Sequence, residues 1–272
     1  MQHDENEQLL TRLFPSAAAQ LRSALGNIQI AISRLAPADK RKIDGALDAD
    51  TAILYQSYYR LLRLVNNFSD APLLLEDKPL PLEDRDLVAL TADICRRAEP
   101  QAELLGLQLR FSCTMGSHPV AINAVKIERL LLNLLSNAFK FTPRGGSVTV
   151  SLKPVSGKLL LSVADTGCGI SDDLASTLFD RYLHTERMDP PPHGLGLGLP
   201  LCHWIAVGHG GDLVTVPRTT PGLTIALSLP DRRVGNSVVS DLRFDYTGGF
   251  NLTLLELADA LPVEAFAQRN MD

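Results

Sequence analysis

The sequence is poor in the features that mark a secreted, membrane-embedded or nucleic-acid-coating protein. Its four cysteines, Cys95, Cys113, Cys168 and Cys202, lie far apart with no Cys-x-x-Cys pair. That spacing suits reduced thiols in a cytoplasm better than a disulfide frame or a zinc site. No long apolar run occurs. The most apolar stretch, Gly194 to Gly208, is shorter than the ~20 residues of a bilayer span and is interrupted by glycines, a proline and a histidine. The amino terminus, MQHDENEQLL, is polar and acidic, without the apolar centre of a signal peptide. Positive charge is not in excess either: 26 Lys+Arg against 31 Asp+Glu leave a net charge of −5, whereas nucleic-acid binding requires a basic surface or stripe. The expectation is a cytoplasmic protein with neither a membrane nor a nucleic acid as partner.

What the 272 residues do hold is an ordinary globular composition, 45% apolar and 21% charged, in a chain long enough for about two domains. The first segment carries a heptad stripe. Phe14, Ala18, Leu21, Leu25, Ile28, Ile32 and Leu35 recur at alternating steps of four and three, the seam of a coiled-coil-like helix. Leu47, Thr51, Leu54, Tyr58, Leu61, Val65 and Phe68 form a second stripe. Between them, the stretch Ala36 to Lys40 with its Pro37, and Gly45, break the helix. Helices over 13–35 and 46–70 predict an antiparallel hairpin. A second copy would cover its remaining apolar surface as a homodimeric four-helix bundle; packing on the rest of the same chain is the alternative. Pro72, Pro79 and Pro81 mark a linker over Ala71–Leu82.

Beyond the linker, helical and extended patterns interleave. Leu87–Leu105, Lys126–Phe141 and Leu199–Val207 read as helices. Leu107–Cys113, Pro119–Ile122, Ser147–Lys153, Lys158–Asp165, Asp212–Val216 and Gly222–Leu229 read as strands, with a turn at Ser156-Gly157. This mixture predicts an α/β sandwich with helices on one face of one sheet, and an α+β chain overall. The expected divisions are 1–75, 76–231 and an appendage at 232–272. In the appendage Val238, Ser240, Leu242, Phe244 and Tyr246 alternate with charged neighbours, as in an edge strand. Gly248-Gly249 then leads to a short amphipathic helix with Leu254, Leu257 and Leu261. The appendage is expected to cover an edge or a helix of its own domain; docking to a partner is the alternative.

Four short motifs carry chemistry. In Asn133-Leu-Leu-Ser-Asn137-Ala-Phe-Lys140, helical spacing puts the two carboxamides and the ammonium on one face. A carboxamide oxygen suits Mg²⁺ and Lys suits phosphate, although a solvated helix face would look the same. Asp165-Thr-Gly167-Cys-Gly169 follows an apolar strand. An ionised Asp there can accept from an exocyclic amine, and the glycines allow close backbone approach to a flat ligand. Leu178-Phe179-Asp180-Arg181-Tyr182 is an aromatic and basic cluster. Gly194-Leu-Gly196-Leu-Gly198-Leu leads into Pro200, so that backbone N–H groups at a helix start can cradle phosphate. It is not a P-loop, because no Gly-Lys-Ser/Thr follows.

In order and spacing the four motifs resemble the nucleotide-binding domain of bacterial sensor histidine kinases, within the kinase–gyrase–chaperone ATPase superfamily. The resemblance covers roughly residues 80–230 and implies an α/β-sandwich ATPase domain that binds Mg-ATP. It implies that Asn137 holds Mg²⁺, that Asn133 and Lys140 face the triphosphate, and that Asp165 binds adenine beside Gly167 and Gly169. Phe179 and Tyr182 would lie near the mobile lid, and Gly194, Gly196 and Gly198 would cradle phosphates. The lid departs from the family: Leu183 to His193 is short and carries Pro190-Pro191-Pro192. Arg181 and Arg187 are its candidate cations, and His184 and His193 flank it.

The hairpin resembles the same family's dimerisation and phosphoacceptor domain. The family's first helix carries His-Glu-x-Arg-Thr-Pro-Leu, and the matching stretch here is Ala19-Gln20-Leu21-Arg22-Ser23-Ala24-Leu25. Ala19 stands at the phosphoacceptor position and has no nucleophile, and Gln20 cannot act as a general base. Ala24 removes the kink that Pro introduces. His3-Asp4 has the right dipeptide but lies about 24 Å upstream along a helix. The expectation is therefore a histidine-kinase-like, two-component signalling protein that binds ATP and Mg²⁺, forms a homodimer and does not autophosphorylate at the usual site. Two alternatives stand beside it: an ATP-binding scaffold regulating a partner sensor kinase or response regulator, and an active kinase using a non-standard or trans acceptor. No sensor domain is expected upstream of the bundle.

Overall fold

The computed structural model describes residues 2–71, 80–170, 197–216, 218, 220–235 and 251–271, with side chains from Leu13 onward. It divides into two compact units, Met1–Asp77 with Leu261–Asp272, and Lys78–Ala260. The carboxy-terminal segment thus contributes to both units, Leu261–Asp272 to the first and the residues before it to the second. The expected edge strand, Val238 to Tyr246, lies outside the described residues.

The first unit is a helical hairpin. Helix α1 (Gln2–Leu35) and helix α3 (Gly45–Asp70) are joined by the short α2 (Ala38–Ile43). Gly45 does not break the chain: it opens α3, and the stop is made by Pro37 and by Asp44. The Asp44 carboxylate accepts from Ala46 N–H and Leu47 N–H at 3.0 Å, capping α3. The heptad stripes split in two. Ala18, Leu25 and Ile32 are buried, whereas Leu21, Ile28 and Leu35 are 49%, 49% and 79% exposed. On α3, Thr51, Tyr58 and Val65 are buried while Leu54 and Leu61 are about half exposed. Alternate members of each stripe therefore serve the hairpin, and the others form an uncovered seam at steps of seven.

The end of the chain packs on this hairpin. A 3₁₀ turn (Val263–Phe266) precedes the last helix, α8 (Gln268–Met271). Phe266 is fully buried, its ring centroid 5.4 Å from that of Tyr59. Arg41, 3% exposed, donates Nε–H to Asp48 at 2.8 Å, one Nη to Gln268 Oε1 at 3.1 Å and the other to Phe266 O at 2.9 Å. A buried guanidinium so fully partnered holds its place rather than straining it.

The second unit is a two-layer α/β sandwich with two sheets rather than the one expected. A ribbon pairs β1 (Glu83–Asp86) antiparallel with β3 (Pro119–Ile122). The main sheet has the order β2-β4-β5-β7-β6, from β2 (Gln108–Cys113), β4 (Ser147–Val155), β5 (Lys158–Asp165), β6 (Asp212–Thr215) and β7 (Thr224–Pro230). Only the β2–β4 pair is parallel among these. Alternate residues point to the helices: Val148, Val150 and Leu152 on β4, and Leu159, Leu161 and Val163 on β5, all nearly inaccessible. Helices α4 (Leu87–Leu104), α5 (Ala124–Phe141) and α6 (Gly198–Gly208) cover that face. On α5 alone Ile127, Leu130, Leu131, Leu132, Leu134 and Leu135 are at most 2% exposed. At ~1.5–3 kcal/mol per buried aliphatic side chain, this helix is a fixed platform. The last described element of the unit, α7 (Leu252–Leu257), packs on α5 and α4. No helix among the described residues is long and apolar enough to cross a membrane.

Candidate functional site

The site is built on the polar face of α5. Asn123 caps the helix, its side chain accepting from Lys126 N–H at 3.1 Å. The Asn123 N–H donates to His209 Nε2 at 2.9 Å, and His209 Nδ1–H donates to Ile205 O at 2.6 Å. The buried imidazole is therefore placed as the neutral tautomer, and burial pushes its pKa below the usual histidine range. This pairing locks the start of α5 to the end of α6. The face itself carries Asn133, Asn137 and Lys140. Asn137 and Lys140 are half-buried, with Lys140 Nζ 5.4 Å from the Phe141 ring centroid. Asn133 is 2% exposed.

Asp165 ends β5, the central strand of the main sheet. It is 6% exposed, and its Oδ1 accepts from Gly167 N–H at 2.8 Å and from Leu223 N–H at 3.2 Å. Two amides on one oxygen hold the carboxylate in a fixed orientation. The loop after it has no room for side chains at two points. At Gly167 a Cβ would overlap the Phe141 carbonyl, and at Gly169, with φ +70°, it would stand 3.1 Å from Gly222 O.

Gly198, the first residue of α6, completes the arrangement. A Cβ there would lie 3.2 Å from Asn133 Oδ1. Gly167 thus meets the carboxy-terminal end of α5 while Gly198 meets the same helix two turns earlier, ~12 Å apart at ~1.5 Å per residue. The structure therefore gathers Asn133, Asn137, Lys140, Asp165, Gly167, Gly169 and Gly198 around one helix. Phe179, Tyr182, Gly194 and Gly196 lie outside the described residues, as do Arg181, Arg187, His184 and His193. Of the remaining histidines with described side chains, His118 Nε2 is 2.8 Å from Asp231 Oδ1 and His203 Nε2 3.6 Å from Asp212 Oδ1. Ala19 and Gln20 are exposed on α1.

Three contributors escape inspection of the motifs. Gly222 has φ +113°, and a Cβ there would overlap the Asp165 carbonyl oxygen. Arg218 donates to that same carbonyl. The Pro221-Gly222 turn signal ahead of a strand was the available clue. The third, Glu256 of α7, left no clue: its Oε2 is 3.5 Å from Asn133 Nδ2, and its Oε1 is 3.6 Å from Arg129 Nε.

Comparison with known proteins agrees with this architecture. Residues 122–233 match the family described as histidine kinase-, DNA gyrase B-, and HSP90-like ATPase. Histidine protein kinase DivJ of Caulobacter vibrioides is 39% identical over 130 residues, 48% of this chain and 22% of that protein. Hybrid signal transduction histidine kinase D of Dictyostelium discoideum is 31% identical over 262 residues, 87% of this chain and 16% of that protein. The chain thus spans 22% or less of the length of these two curated relatives. Full-length ShkA, solved in complex with AMPPNP, has a TM-score of 0.57 at 21% identity over 78% of this chain and 45% of its own, a likeness of fold.

Proposed function

We propose, from the match of residues 122–233 to the histidine kinase-, DNA gyrase B-, and HSP90-like ATPase family, that the chain binds Mg-ATP and acts as a dimeric, histidine-kinase-like component of two-component signalling that cannot autophosphorylate at the usual position. The observation that carries the nucleotide is Asp165. A carboxylate fixed by two amides at the end of the central strand, over glycines that leave no side-chain volume, suits an exocyclic amine on a flat ring. Lys140 and the α6 start at Gly198 supply positive charge and N–H groups for phosphates, joined by Gly194 and Gly196. Phe179 and Tyr182 would lie near the lid.

Among the described residues no group of three or more His, Cys, Asp or Glu is poised for a metal. A Mg²⁺ ion here would be held by the Asn137 carboxamide together with phosphate oxygens, the usual economy for this cation. The homodimer is supported by the seam of Leu21, Ile28 and Leu35 on α1 and Leu54 and Leu61 on α3, which stands uncovered in one copy. Helices 13–35 and 46–70 would form the bundle.

Ala19 and Gln20 favour a scaffold that regulates a partner sensor kinase or response regulator. The full polar set on α5 and β5 favours a second possibility, an active kinase with a non-standard or trans acceptor. Incubation with γ-labelled ATP separates them. We expect measurable Mg-ATP affinity, weakened ~10–100-fold by Asp165→Asn, since a hydrogen bond to a charged group contributes ~1.5–3 kcal/mol. No label is expected on the chain. Acid-labile, base-stable label abolished by His3→Ala would overturn the scaffold, and affinity indifferent to Asp165→Asn would overturn the adenine site.

A further inference from the structure

The nucleotide face of α5 is shared with another part of the chain. Asn133 donates from Nδ2 to Arg129 O at 3.0 Å and toward Glu256 Oε2 at 3.5 Å. Glu256 is 2% exposed, and its other oxygen stands 3.6 Å from Arg129 Nε. The carboxylate therefore lies between positions 129 and 133, one turn apart on α5. Its helix is firmly seated: Thr253, Leu254, Leu255 and Leu257 are at most 2% exposed, and Arg97 donates to Thr253 Oγ1 at 3.0 Å. The Asn251 side chain caps α7 through Leu254 N–H at 3.2 Å. Gly198 approaches the other end of the same carboxamide, Oδ1. The helix start assigned to phosphates and the carboxy-terminal segment thus meet at one side chain.

We propose that α7 is an intrachain antagonist of the nucleotide's triphosphate, with Glu256 occupying the Asn133–Arg129 end of the phosphate face. This rests on the nucleotide site proposed above. Phosphate at Asn133 would bring a second anion against a carboxylate in a low-dielectric pocket, where like charges repel strongly. Departure of Glu256 removes that repulsion and turns the Arg129 guanidinium toward the incoming phosphate, which it binds as readily as a carboxylate. One anion is exchanged for another, so nucleotide binding loosens α7 and a docked α7 weakens nucleotide binding; the coupling is reciprocal.

The test uses the full chain. Affinities for Mg-ATP and for adenosine are measured by calorimetry in the wild type and in Glu256→Gln. Amide hydrogen exchange of residues 252–257 is followed in the wild type with and without saturating Mg-ATP. We expect Glu256→Gln to bind Mg-ATP ~10-fold more tightly, within the usual range of such couplings, and to bind adenosine unchanged. We expect wild-type protection at 252–257 to fall when Mg-ATP is added. Equal Mg-ATP affinity in the two proteins overturns the antagonism and leaves the nucleotide site standing, and so does undiminished protection at saturation, a measurement that needs no variant to fold. If neither protein binds Mg-ATP or adenosine, the nucleotide site itself fails and the antagonism with it.

Discussion

The hairpin and the sandwich use the same kind of apolar pattern to opposite chemical ends. In the hairpin the stripe residues fold the helices and leave a seam, but the position that the family resemblance marks for phosphate holds Ala19, with Gln20 beside it. In the sandwich the apolar face of α5 is buried throughout, and its polar face carries Asn133, Asn137 and Lys140. Residues that build a helix and residues that use it are separable: Ala18 is fully buried and Ala19 exposed, one position apart. Alteration at an exposed position leaves packing untouched, which is why a hairpin can keep its form without a nucleophile. On α5 the converse holds, because Asn133 is both a packing residue and a polar one.

The largest effect that would sharpen this contrast is at the seam. Ile28 and Ile30 are 49% and 47% exposed on α1, yet two helical steps put them on opposite sides. Ile28→Glu would bury a carboxylate from each copy in a bundle. A cost of ~4 kcal/mol corresponds to roughly 10³-fold weaker dimerisation. Ile30→Glu should leave the dimer unchanged. Sedimentation equilibrium reads both, and equal behaviour of the two variants would remove the seam from the interface.

A smaller effect lies in the sandwich. Gly222→Ala places a methyl group into the Asp165 carbonyl at φ +113°, whereas Gly157→Ala, at φ +76°, meets open space. The first should lose ~3 kcal/mol or more of stability along with nucleotide affinity, and the second ~1 kcal/mol from backbone conformation alone. Thermal unfolding and nucleotide titration of the pair separate the two costs. If both lose the same stability, backbone conformation rather than closeness to Asp165 governs Gly222.

Much of this was legible in the chain. The strands Pro119–Ile122 and Lys158–Asp165 fall where the sequence pattern placed them, and α4 and α5 differ from expectation by only a residue or two at their ends. The polar row on α5 was visible because helical spacing is a local property. What stayed hidden was long-range. The short strand Glu83–Asp86 is all charged, so no hydrophobic alternation announces it; it exists because its backbone pairs with β3. The split of each stripe into buried and exposed halves depends on which helix lies alongside, which heptads alone do not state. Glu256 reads as a charge on an amphipathic helix. Its burial against Asn133, 123 residues away in sequence, follows from packing alone.

The smallest effect concerns the joint between α5 and α6. His209 is 1% exposed, accepts from Asn123 N–H and is held neutral, its pKa lowered chiefly by burial. In the unfolded chain the imidazole takes a proton near pH 6.5. The folded protein resists that proton, so below this pH the unfolded state binds more protons and stability falls. The contribution is fully present above pH ~6.5 and is lost as pH drops toward the lowered folded value, by at most ~1.4 kcal/mol per pH unit. His209→Gln keeps an acceptor for Asn123 N–H but cannot titrate. It should cost a pH-independent amount and flatten the stability curve between pH 6.5 and 5.5, as read from urea unfolding at each pH. Parallel curves would mean that the proton enters the folded site without penalty, and that the α5–α6 joint does not depend on a neutral ring. Because Gly198 begins α6 and faces Asn133, the same variant also shows whether loosening the far end of α6 is felt at its start: nucleotide affinity should change little at pH 8, where the native ring is neutral as well.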